Sequence, residues 1–408
     1  MKKITNFSEK SIKLGLPYKL VQIIQRFVKK HGGKTFIIGG NVRDIILNRK
    51  ISSDCDLVIN IKIDELVKTL EEYNIKFSTV GLKFGTIIVH FENHNIEITA
   101  MRQDKKTDGR WAEIKFTNDI EVDAVRRDFT INSIYCDLAG NLFDPFRGQD
   151  DLKKKIVRFI GNPQKRIEED HLRILRFLRF SYQISDTFDS EGLLECERNI
   201  NKILLLSWER RISEIKKIII QKRIENIEET KVYKFIEISL EKKIDFRNFH
   251  TLCRIERDLN FICSSRRLKY LLRNEVLKEE DTIMKKSSKE FQNRITTKVD
   301  LKSYSTKEIN KLLYKLNKKN IIDKLFFDFV KKKITKSSLI NILKFIESYE
   351  IKDLPITGND LIKIGFSEGK QIGKHIKIVN DWWLENDRKP NKIQCIEFLK
   401  SLPGSKRW

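Results

Sequence analysis

The sequence lacks long hydrophobic runs, paired cysteines and, through most of its second half, proline. No uncharged apolar run reaches the roughly 18 residues of a membrane-spanning helix, so we exclude an integral membrane protein. Six cysteines are scattered without a Cys-x-x-Cys pair, which argues against zinc sites and disulfides and favours a reducing compartment. The N-terminus lacks the apolar core of a secretory signal. Together these absences predict a cytoplasmic protein.

The two parts of the chain differ in their local patterns. Proline is absent between positions 163 and 355, and apolar residues recur there at three- and four-residue spacing, which predicts an α-helical array. The first 150 residues instead hold β-rich runs at 34–39, 55–59, 84–91 and 96–101, punctuated by glycine. With 408 residues we expect more than one domain.

Positive charge is concentrated after residue 150. The formal net charge is +24, yet residues 1–150 hold 24 Lys and Arg against 20 Asp and Glu, whereas the remainder holds 57 against 37. An AT-rich genome contributes lysine but does not explain where the excess lies. We therefore expect a nearly neutral chemical module followed by one that binds a polyanion, with nucleic acid favoured.

The strongest local motif joins a glycine pair to two spaced carboxylates. Gly39 and Gly40 follow a predicted strand, Arg43 comes shortly after, and Asp54 and Asp56 lie on the next strand. Alternate residues of a strand face the same way, so the two carboxylates share one face. Such a pair suits Mg²⁺ bridging to phosphates, and the glycines leave backbone N–H groups for a triphosphate. An isolated Asp-x-Asp is more often a solvated turn, but the preceding loop favours a site.

A third carboxylate is predicted on a neighbouring strand. Glu97 stands between Ile96 and Ile98, and a charge flanked by apolar residues on a strand points away from the face that they bury. We expect Glu97 to face the same cations as the two aspartates. A plain exposed glutamate is the alternative.

Two groups of arginines follow. Arg126–Arg127 precedes a short buried run, and it forms either a solvated corner or a phosphate contact. Asp170 is followed by Arg173, Arg176 and Arg179 at three-residue intervals, which keeps them on one helical stripe. Their neighbours are apolar, so the stripe is expected to be partly buried against a polar ligand. Asp170 and Arg173 together offer the acceptor and planar donors that a base edge requires.

In this order the motifs resemble the class II tRNA nucleotidyltransferases, or CCA-adding enzymes, and the related bacterial poly(A) polymerases. The resemblance runs almost unbroken from position 36 to 180 and includes FIIGGNVRDIIL, DCD, GLKFGTIIV, IEITAMRQDKKTDGRWAEIKF, RRDFTINSIYCD and RIEEDHLRILRFLRF. It resumes at LPITGNDLIKIGFSEGKQIGK, while residues 185–351 match in helical character alone. Each motif by itself is modest, but six in the right order are specific.

The resemblance implies an α+β fold, with a polymerase-β-like nucleotidyltransferase head on a mixed β-sheet followed by an all-α neck, body and tail. We expect the catalytic head at 1–140, the nucleotide-reading neck at 141–205, the RNA-binding body at 206–350 and the tail at 351–408. The implied reaction is template-independent addition or repair of the 3′-terminal CCA of tRNA from CTP and ATP. The implied partner is tRNA, through its acceptor and TΨC arms, with no membrane and no obligate protein partner.

The resemblance also implies a role for each candidate residue. Asp54 and Asp56 would hold two Mg²⁺ ions, with Glu97 as the third catalytic carboxylate. The nucleotide-binding residues would be Gly39, Gly40, Arg43, Arg127, Asp170, Arg173, Arg176 and Arg179. Among them, Asp170 and Arg173 would read the Watson–Crick edge of CTP or ATP.

The polar stretch 103–120 matches the flexible loop that this family needs to switch from C to A addition. Three features depart from the usual pattern. The segment between Gly40 and Asp54 is slightly long, Cys55 stands where a branched aliphatic residue is common, and Trp111 stands where histidine is common. None of these departures removes a catalytic group.

Three other functions stay open from the sequence. A bacterial poly(A) polymerase has the same catalytic groups, although such enzymes tend to carry a basic pair where this chain has GLKFG at 81–85. An enzyme that adds only part of CCA is the second, and the loop disfavours one that adds C alone. The third is a non-catalytic RNA-binding protein on the same scaffold, and the intact carboxylates count against it.

Overall fold

The computed structural model describes residues 3–51, 54–91, 94–108, 111–274, 285, 288–350, 353–366, 370–386 and 388–402. The chain divides into two compact units, Met1–Ile244 and Asp245–Trp408. Their boundary falls inside the segment expected to form the body, and the four-part division of the chain stays a prediction. Within the described residues, no helix is both long enough and apolar enough to cross a membrane.

The first unit contains strands and helices. Its strands are β1 (Thr35–Ile38), β2 (Asp54–Ile59), β3 (Phe77–Ser78), β4 (Thr86–Phe91), β5 (His94–Ala100), β6 (Arg102–Asp108), β7 (Trp111–Phe116), β8 (Tyr135–Cys136) and β9 (Leu142–Phe143). Its α-helices are α1 (Phe7–Lys13), α2 (Tyr18–Lys30), α3 (Gly40–Ile46), α4 (Ile63–Glu72), α5 (Ile120–Val125), α6 (Gly148–Lys154), α7 (Pro163–Glu169), α8 (Leu172–Ile184), α9 (Ser190–Arg198), α10 (Trp208–Ile218) and α11 (Tyr233–Leu240). Short 3₁₀ helices lie at Leu82–Phe84, Thr130–Asn132, Ile200–Leu205 and Lys222–Glu229.

A seven-stranded mixed sheet, in the order β3-β4-β5-β2-β1-β8-β9, forms the frame of the first unit. Strands β2 and β5 are parallel, whereas β1 with β2 and β4 with β5 are antiparallel. Strand β1 is buried along its whole length, which accounts for its unbroken apolar run. The four β-rich runs of the sequence correspond to β1, β2, β4 and β5, so the predicted mixed sheet is confirmed.

The prediction of a loop over 103–120 was wrong for most of that stretch. Strands β6 and β7 pair with each other as a separate antiparallel sheet. Such pairing uses backbone groups alone, so a polar sequence adopts it without the hydrophobic alternation that signals a strand. The missed signal was Asp108-Gly109, since Asp-Gly favours a tight hairpin turn. Gly109 and the side chain of Trp111 lie outside what the structure describes.

From Gly148 onward the described residues form helices and no strand, as the absence of proline predicts. The helices of the second unit are α12 (Phe249–Asp258), α13 (Ser264–Leu271), α14 (Lys289–Thr296), α15 (Thr306–Lys315), α16 (Lys318–Val330), α17 (Lys336–Glu347), α18 (Gly358–Lys363), α19 (Lys370–Glu385) and α20 (Lys392–Ser401). The predicted succession of a mixed-sheet head and an α-helical remainder is therefore confirmed.

Ion pairs hold four helices of the second unit together. Glu256 on α12 pairs with Arg266 at 2.8 Å and with Arg267 at 2.6 Å, both on α13. Asp323 on α16 pairs with Arg266 at 3.0 Å and with Arg294 of α14 at 2.7 Å. Both carboxylates are fully buried, so each depends on its arginine partners for compensation.

Helix α6 approaches the 3₁₀ helix Thr130–Asn132 so closely that its first residue has to be glycine. A Cβ built on Gly148 would lie 2.2 Å from the carbonyl oxygen of Thr130 and 2.7 Å from its carbonyl carbon. Because both atoms belong to the backbone, they cannot rotate away.

We expect Gly148→Ala to lower the free energy of unfolding by about 1–3 kcal/mol, because the added methyl displaces backbone. The control is Gly373→Ala on α19, where nothing lies within 4 Å of the new Cβ and alanine gains up to about 1 kcal/mol of helix propensity. Urea unfolding followed by circular dichroism measures both. Equal stability of Gly148→Ala and wild type would contradict the close approach.

Candidate active site

A cleft of about 970 Å³ in the first unit brings the candidate residues together. Its lining includes all eleven that the sequence singled out, namely Gly39, Gly40, Arg43, Asp54, Asp56, Glu97, Arg127, Asp170, Arg173, Arg176 and Arg179. They come from strands β2 and β5, from Gly39 and the first turns of α3, and from the segment between α5 and the end of α8. Their individual roles stay predictions, but the expectation that they share one site agrees with this geometry.

The turn between β1 and α3 fixes the floor of the cleft. Gly39 has φ +65° and ψ −130°, a backbone conformation that other residues avoid. A Cβ there would lie only 3.8 Å from Oδ2 of Asp56, so glycine keeps the floor open beside that carboxylate. Next in the chain, Asn41 donates to the carbonyl of Asp54 at 3.1 Å and accepts from the backbone N–H of Asp56 at 3.0 Å. This buried amide joins the turn to the strand that carries the aspartates.

Parallel pairing of β2 with β5 produces an acidic face. Asp54 and Asp56 are exposed on the cleft side of β2, while Cys55 between them is fully buried. Asp56 lies directly opposite Glu97 in the register of the two strands, and Asp54 lies opposite Asn95. Since directly opposed residues point to the same side of a sheet, the three carboxylates face the same space.

The chemistry of this face fits a divalent cation. The pKa of Asp56 is raised to about 6, first because the surrounding protein displaces water and then because Glu97 and Asp54 are negative. A cation would relieve this repulsion, and carboxylate oxygens are the hard ligands that Mg²⁺ prefers. Among the residues that the structure describes, no three acidic, His or Cys side chains form a closed metal cage. In proteins, Mg²⁺ is usually held by one or two carboxylates, with water and substrate phosphates completing its shell.

The Arg126–Arg127 pair is held by one buried carboxylate that sequence reasoning missed. Asp123 accepts hydrogen bonds from Arg126 Nε at 2.8 Å, from Arg127 at 2.9 Å and from the hydroxyl of Tyr135 at 2.6 Å. Although burial opposes ionisation, the two guanidinium groups hold the pKa of Asp123 well below its usual range. Arg127 is thereby fixed at the cleft wall. Asp123 lies three residues before the basic pair. Its i,i+4 spacing to Arg127 is the sequence feature from which this ion pair could have been predicted.

A second chain of hydrogen bonds links α3 to α8 across the cleft. Arg43 donates to the amide oxygen of Asn132 at 2.9 Å. The amide nitrogen of Asn132 donates to Asp128 at 3.2 Å, and Asp128 accepts from Nε of Arg176 at 2.7 Å. Asp128 also accepts from the backbone N–H of Phe129, and its pKa is lowered although it is buried, mainly by the charge of Arg176. Two predicted nucleotide-binding arginines are therefore positioned by Asn132 and Asp128, which the sequence did not single out.

The proposed base-reading residues lie side by side at the junction of α7 and α8. Asp170 accepts from Arg210 on α10, with both carboxylate oxygens 3.0 Å from the guanidinium. Arg173 donates to Glu169 at 2.6 Å and to the carbonyl of Arg126 at 2.8 Å. The side chain of Arg173 is only 12% exposed, whereas that of Asp170 is 32% exposed. Asp170 and Arg173 thus form a polar edge that lines the cleft, and these internal bonds fix it by occupying both oxygens of Asp170 and both terminal nitrogens of Arg173.

Arg179, at the far end of the arginine stripe, is as little exposed as Arg173. Arg179 pairs with Glu214 at 3.0 Å and stacks over Phe180 at 4.2 Å. Burial lowers the pKa of Arg179 to about 10, against the opposing effect of Glu214. Its Nε is buried and has no hydrogen-bond partner within the described part of the chain, so this end of the cleft retains an unused donor.

Comparison with known proteins agrees with the geometry. The model of the poly(A) polymerase head domain family matches residues 35–158. Human mitochondrial CCA tRNA nucleotidyltransferase 1 is 28% identical over 419 residues, which cover 93% of this chain and 89% of the human protein. The CCA-adding enzyme of Staphylococcus epidermidis is 39% identical over 186 residues, or 45% of each chain. The chain is thus similar to CCA-adding enzymes over most of its length, and to the poly(A) polymerase head domain over residues 35–158.

Solved structures of class II tRNA nucleotidyltransferases share the fold. The CCA-adding enzyme of Bacillus stearothermophilus in complex with CTP superposes with a TM-score of 0.62 at 21% identity, covering 94% of this chain and 97% of that one. The Thermotoga maritima CCA-adding enzyme complexed with tRNA gives a TM-score of 0.53 at 18% identity over 98% of this chain and 100% of that one. The fold has therefore been retained while most residues have changed.

Asp123→Asn should lower the free energy of unfolding by about 3–5 kcal/mol, because the partly buried Arg126 and Arg127 lose their charged partner. The folded-state pKa of Asp123 is depressed, so its contribution is complete above the unfolded value of about 3.9 and is lost as pH falls through the folded pKa. The difference between variant and wild type should shrink below about pH 4.

Chemical denaturation at pH 7 and at pH 3 measures this difference, with exposed Asp150 supplying the control Asp150→Asn. A stability difference for Asp123→Asn that is equal at both pH values would contradict the assigned ion pair.

Proposed function

We propose that the protein adds or repairs the 3′-terminal CCA of tRNA, using CTP and ATP without a nucleic-acid template. The observation that carries this proposal is the arrangement of one cleft. Three carboxylates of β2 and β5 face a wall of arginines held by buried carboxylates. An acidic face for metal ions opposite a basic wall for phosphates is what nucleotidyl transfer requires. Similarity to CCA-adding enzymes supports tRNA as the substrate, and the human CCA tRNA nucleotidyltransferase aligns with 93% of this chain.

The reaction joins RNA to a nucleoside monophosphate. The 3′-hydroxyl oxygen of the RNA forms a bond to the α-phosphorus while the bond to the bridging oxygen breaks, and pyrophosphate leaves. Asp54 and Asp56 would hold two Mg²⁺ ions, with Glu97 facing the same site. When bound, such ions activate the hydroxyl and neutralise charge on the leaving oxygen. Positioning of the reactants and neutralisation of charge would then account for most of the rate enhancement.

The triphosphate would lie along the opposite wall. Gly39 and Gly40 leave backbone N–H groups accessible, and Arg43 and Arg127 offer guanidinium donors that suit phosphate oxygens. Since both arginines are already hydrogen-bonded within the protein, little side-chain entropy remains to be lost when a nucleotide binds.

Choice of nucleotide would depend on the polar edge at the α7–α8 junction. A carboxylate acceptor at Asp170 and guanidinium donors at Arg173 match groups on the Watson–Crick edges of cytosine and adenine. Arg176 and Arg179 would line the same pocket. Protein side chains then replace a template strand.

The RNA itself would be bound mainly through phosphates. The excess of Lys and Arg after residue 150 supports contacts to the acceptor and TΨC arms, which present phosphates and 2′-hydroxyls rather than readable base edges. Affinity should therefore fall steeply with salt. The cytoplasm stays our prediction for the compartment in which this reaction takes place.

The test is a primer-extension experiment. Purified protein is incubated with Mg²⁺, a tRNA transcript that lacks its last three nucleotides, and labelled CTP, ATP or both, and the products are separated on a sequencing gel. We expect two C residues and then one A, followed by arrest. A long ladder with ATP alone would instead identify a poly(A) polymerase, and no incorporation by folded protein would leave only an RNA-binding role.

Asp56→Asn should reduce kcat by at least about 10³-fold, because it removes a negative ligand from the metal site. The matched control is Asp64→Asn on α4, an exposed aspartate outside the cleft. Incorporation rates under saturating substrates measure both variants. Near-normal turnover of Asp56→Asn would contradict the metal assignment.

Arg173→Ala should weaken discrimination between CTP and ATP by about 10- to 100-fold, the range expected for one lost bidentate base contact. Arg198→Ala serves as the control, because Arg198 also pairs with a glutamate close to it in sequence, Glu195, but is 64% exposed. The readout is the ratio of kcat/KM for the two nucleotides at each position of the tail. Retained discrimination in a folded Arg173→Ala protein would count against base reading.

A further inference from the structure

A separate basic cavity lies within the second unit. Its volume is about 660 Å³, in the range of small-molecule sites. Four cationic side chains line it, namely Lys269, Arg273, Lys298 and Lys324, and no acidic residue does so among those the structure describes. A cavity of this charge and size selects an anionic ligand larger than a single ion.

Two of these cations are already paired and two are not. Lys324 contacts Asp328 at 2.5 Å and Arg273 contacts Asp245 at 2.9 Å. Lys269 and Lys298 form no ion pair with the described part of the chain. Asp323, which lies near enough to influence Lys269, is occupied by Arg266 and Arg294. The uncompensated positive charge of the cavity is therefore at Lys269 and Lys298.

The cavity also contains a buried acceptor without a donor. Asn320 on α16 is 6% exposed and lines the cavity, and its Oδ1 has no hydrogen-bond partner among the residues that the structure describes. Leaving such an atom unpaired costs about 1–3 kcal/mol, so the position favours a ligand that brings an N–H or O–H group.

An apolar wall lies beside these polar groups. Phe327, also on α16, lines the cavity, and its ring is held edge-to-face against Tyr270 at 5.2 Å. An ordered aromatic side chain next to a hydrogen-bond acceptor is a combination that accommodates a flat, donor-bearing ring such as a nucleobase.

We propose that this cavity binds a nucleotide, with its phosphate at Lys269 and Lys298, its base against Phe327, and an N–H group of the base donating to Asn320. The nucleotide is either a residue of an RNA chain, which rests on the proposed tRNA substrate, or a free mononucleotide. Both sources share the same chemistry, and the experiment separates them.

Photo-crosslinking of the full-length protein identifies the source. One arm uses a tRNA transcript with randomly incorporated 4-thiouridine, and the other uses 8-azidoadenosine monophosphate. Peptides are mapped by mass spectrometry. Labelling of residues 269–274 or 295–299 by the RNA assigns the cavity to an RNA nucleotide, and labelling by the azido nucleotide assigns it to a free one. Absence of label there in both arms overturns the proposal.

The double variant Lys269→Gln/Lys298→Gln tests the phosphate contacts. Its control, Lys315→Gln/Lys344→Gln, removes two lysines of the same unit that are exposed and lie outside the cavity. For the RNA arm we expect at least about tenfold weaker tRNA binding than in the control. The slope of log K against log salt should also be shallower by about 0.7–0.9 for each lost contact. If crosslinking indicates a free nucleotide, azido labelling of the cavity should fall to a similar extent.

Asn320→Leu tests the acceptor, because leucine keeps the branched shape of asparagine, with a somewhat larger volume, and removes the oxygen. Ligand binding should fall while thermal stability is maintained, since an unsatisfied buried oxygen is lost. Binding of Lys269→Gln/Lys298→Gln and of Asn320→Leu at wild-type strength would mean that neither the lysines nor the oxygen contacts a ligand, and the proposal would be wrong. Binding is measured without CTP, ATP or Mg²⁺, so failure of CCA addition would leave this result unaffected.

Discussion

The parallel pairing of β2 and β5 is the constraint on which the rest of the site depends. It sets Asp56 directly beside Glu97 and keeps Asp54 on the same side, so three negative charges share one surface. Three carboxylates this close repel one another in water, and the repulsion is stronger where protein displaces solvent. Two neighbouring residues maintain the geometry of this surface. Asn41 ties the strand to the turn before α3, and Gly39 keeps the space beside Asp56 open.

The arginines of the cleft follow a second rule, in which Arg127, Arg176 and Arg179 each pair with a buried carboxylate. Arg127 pairs with Asp123, which also holds Arg126, while Arg176 pairs with Asp128 and Arg179 with Glu214. These pairs fix the direction of each guanidinium before substrate arrives, and they offset part of the positive charge. A triphosphate would then bind to a pre-ordered surface, and its cations would balance the acidic face. The carboxylates thus have two different positions. Asp123, Asp128 and Glu214 are buried and orient the arginines, whereas those of β2 and β5 face the cleft.

Sequence reasoning succeeded where spacing alone determines geometry. A two-residue spacing on β2 predicted that Asp54 and Asp56 share a face, and a three-residue spacing on α8 predicted the arginine stripe. It did not find partners separated by tens of residues, such as Arg210 with Asp170 or Arg43 with Asn132, because such contacts arise from tertiary packing. The β6–β7 hairpin was missed for a different reason, since backbone pairing leaves no hydrophobic pattern in a polar sequence.

The central claim, that Asp54 and Asp56 hold the metal ions, is tested most directly by counting bound Mn²⁺. Electron paramagnetic resonance reports the free ion in the presence of a CTP analogue that cannot react. We predict two Mn²⁺ ions for each wild-type chain and loss of both from the double variant Asp54→Asn/Asp56→Asn. Unchanged Mn²⁺ binding by a folded double variant would contradict the account.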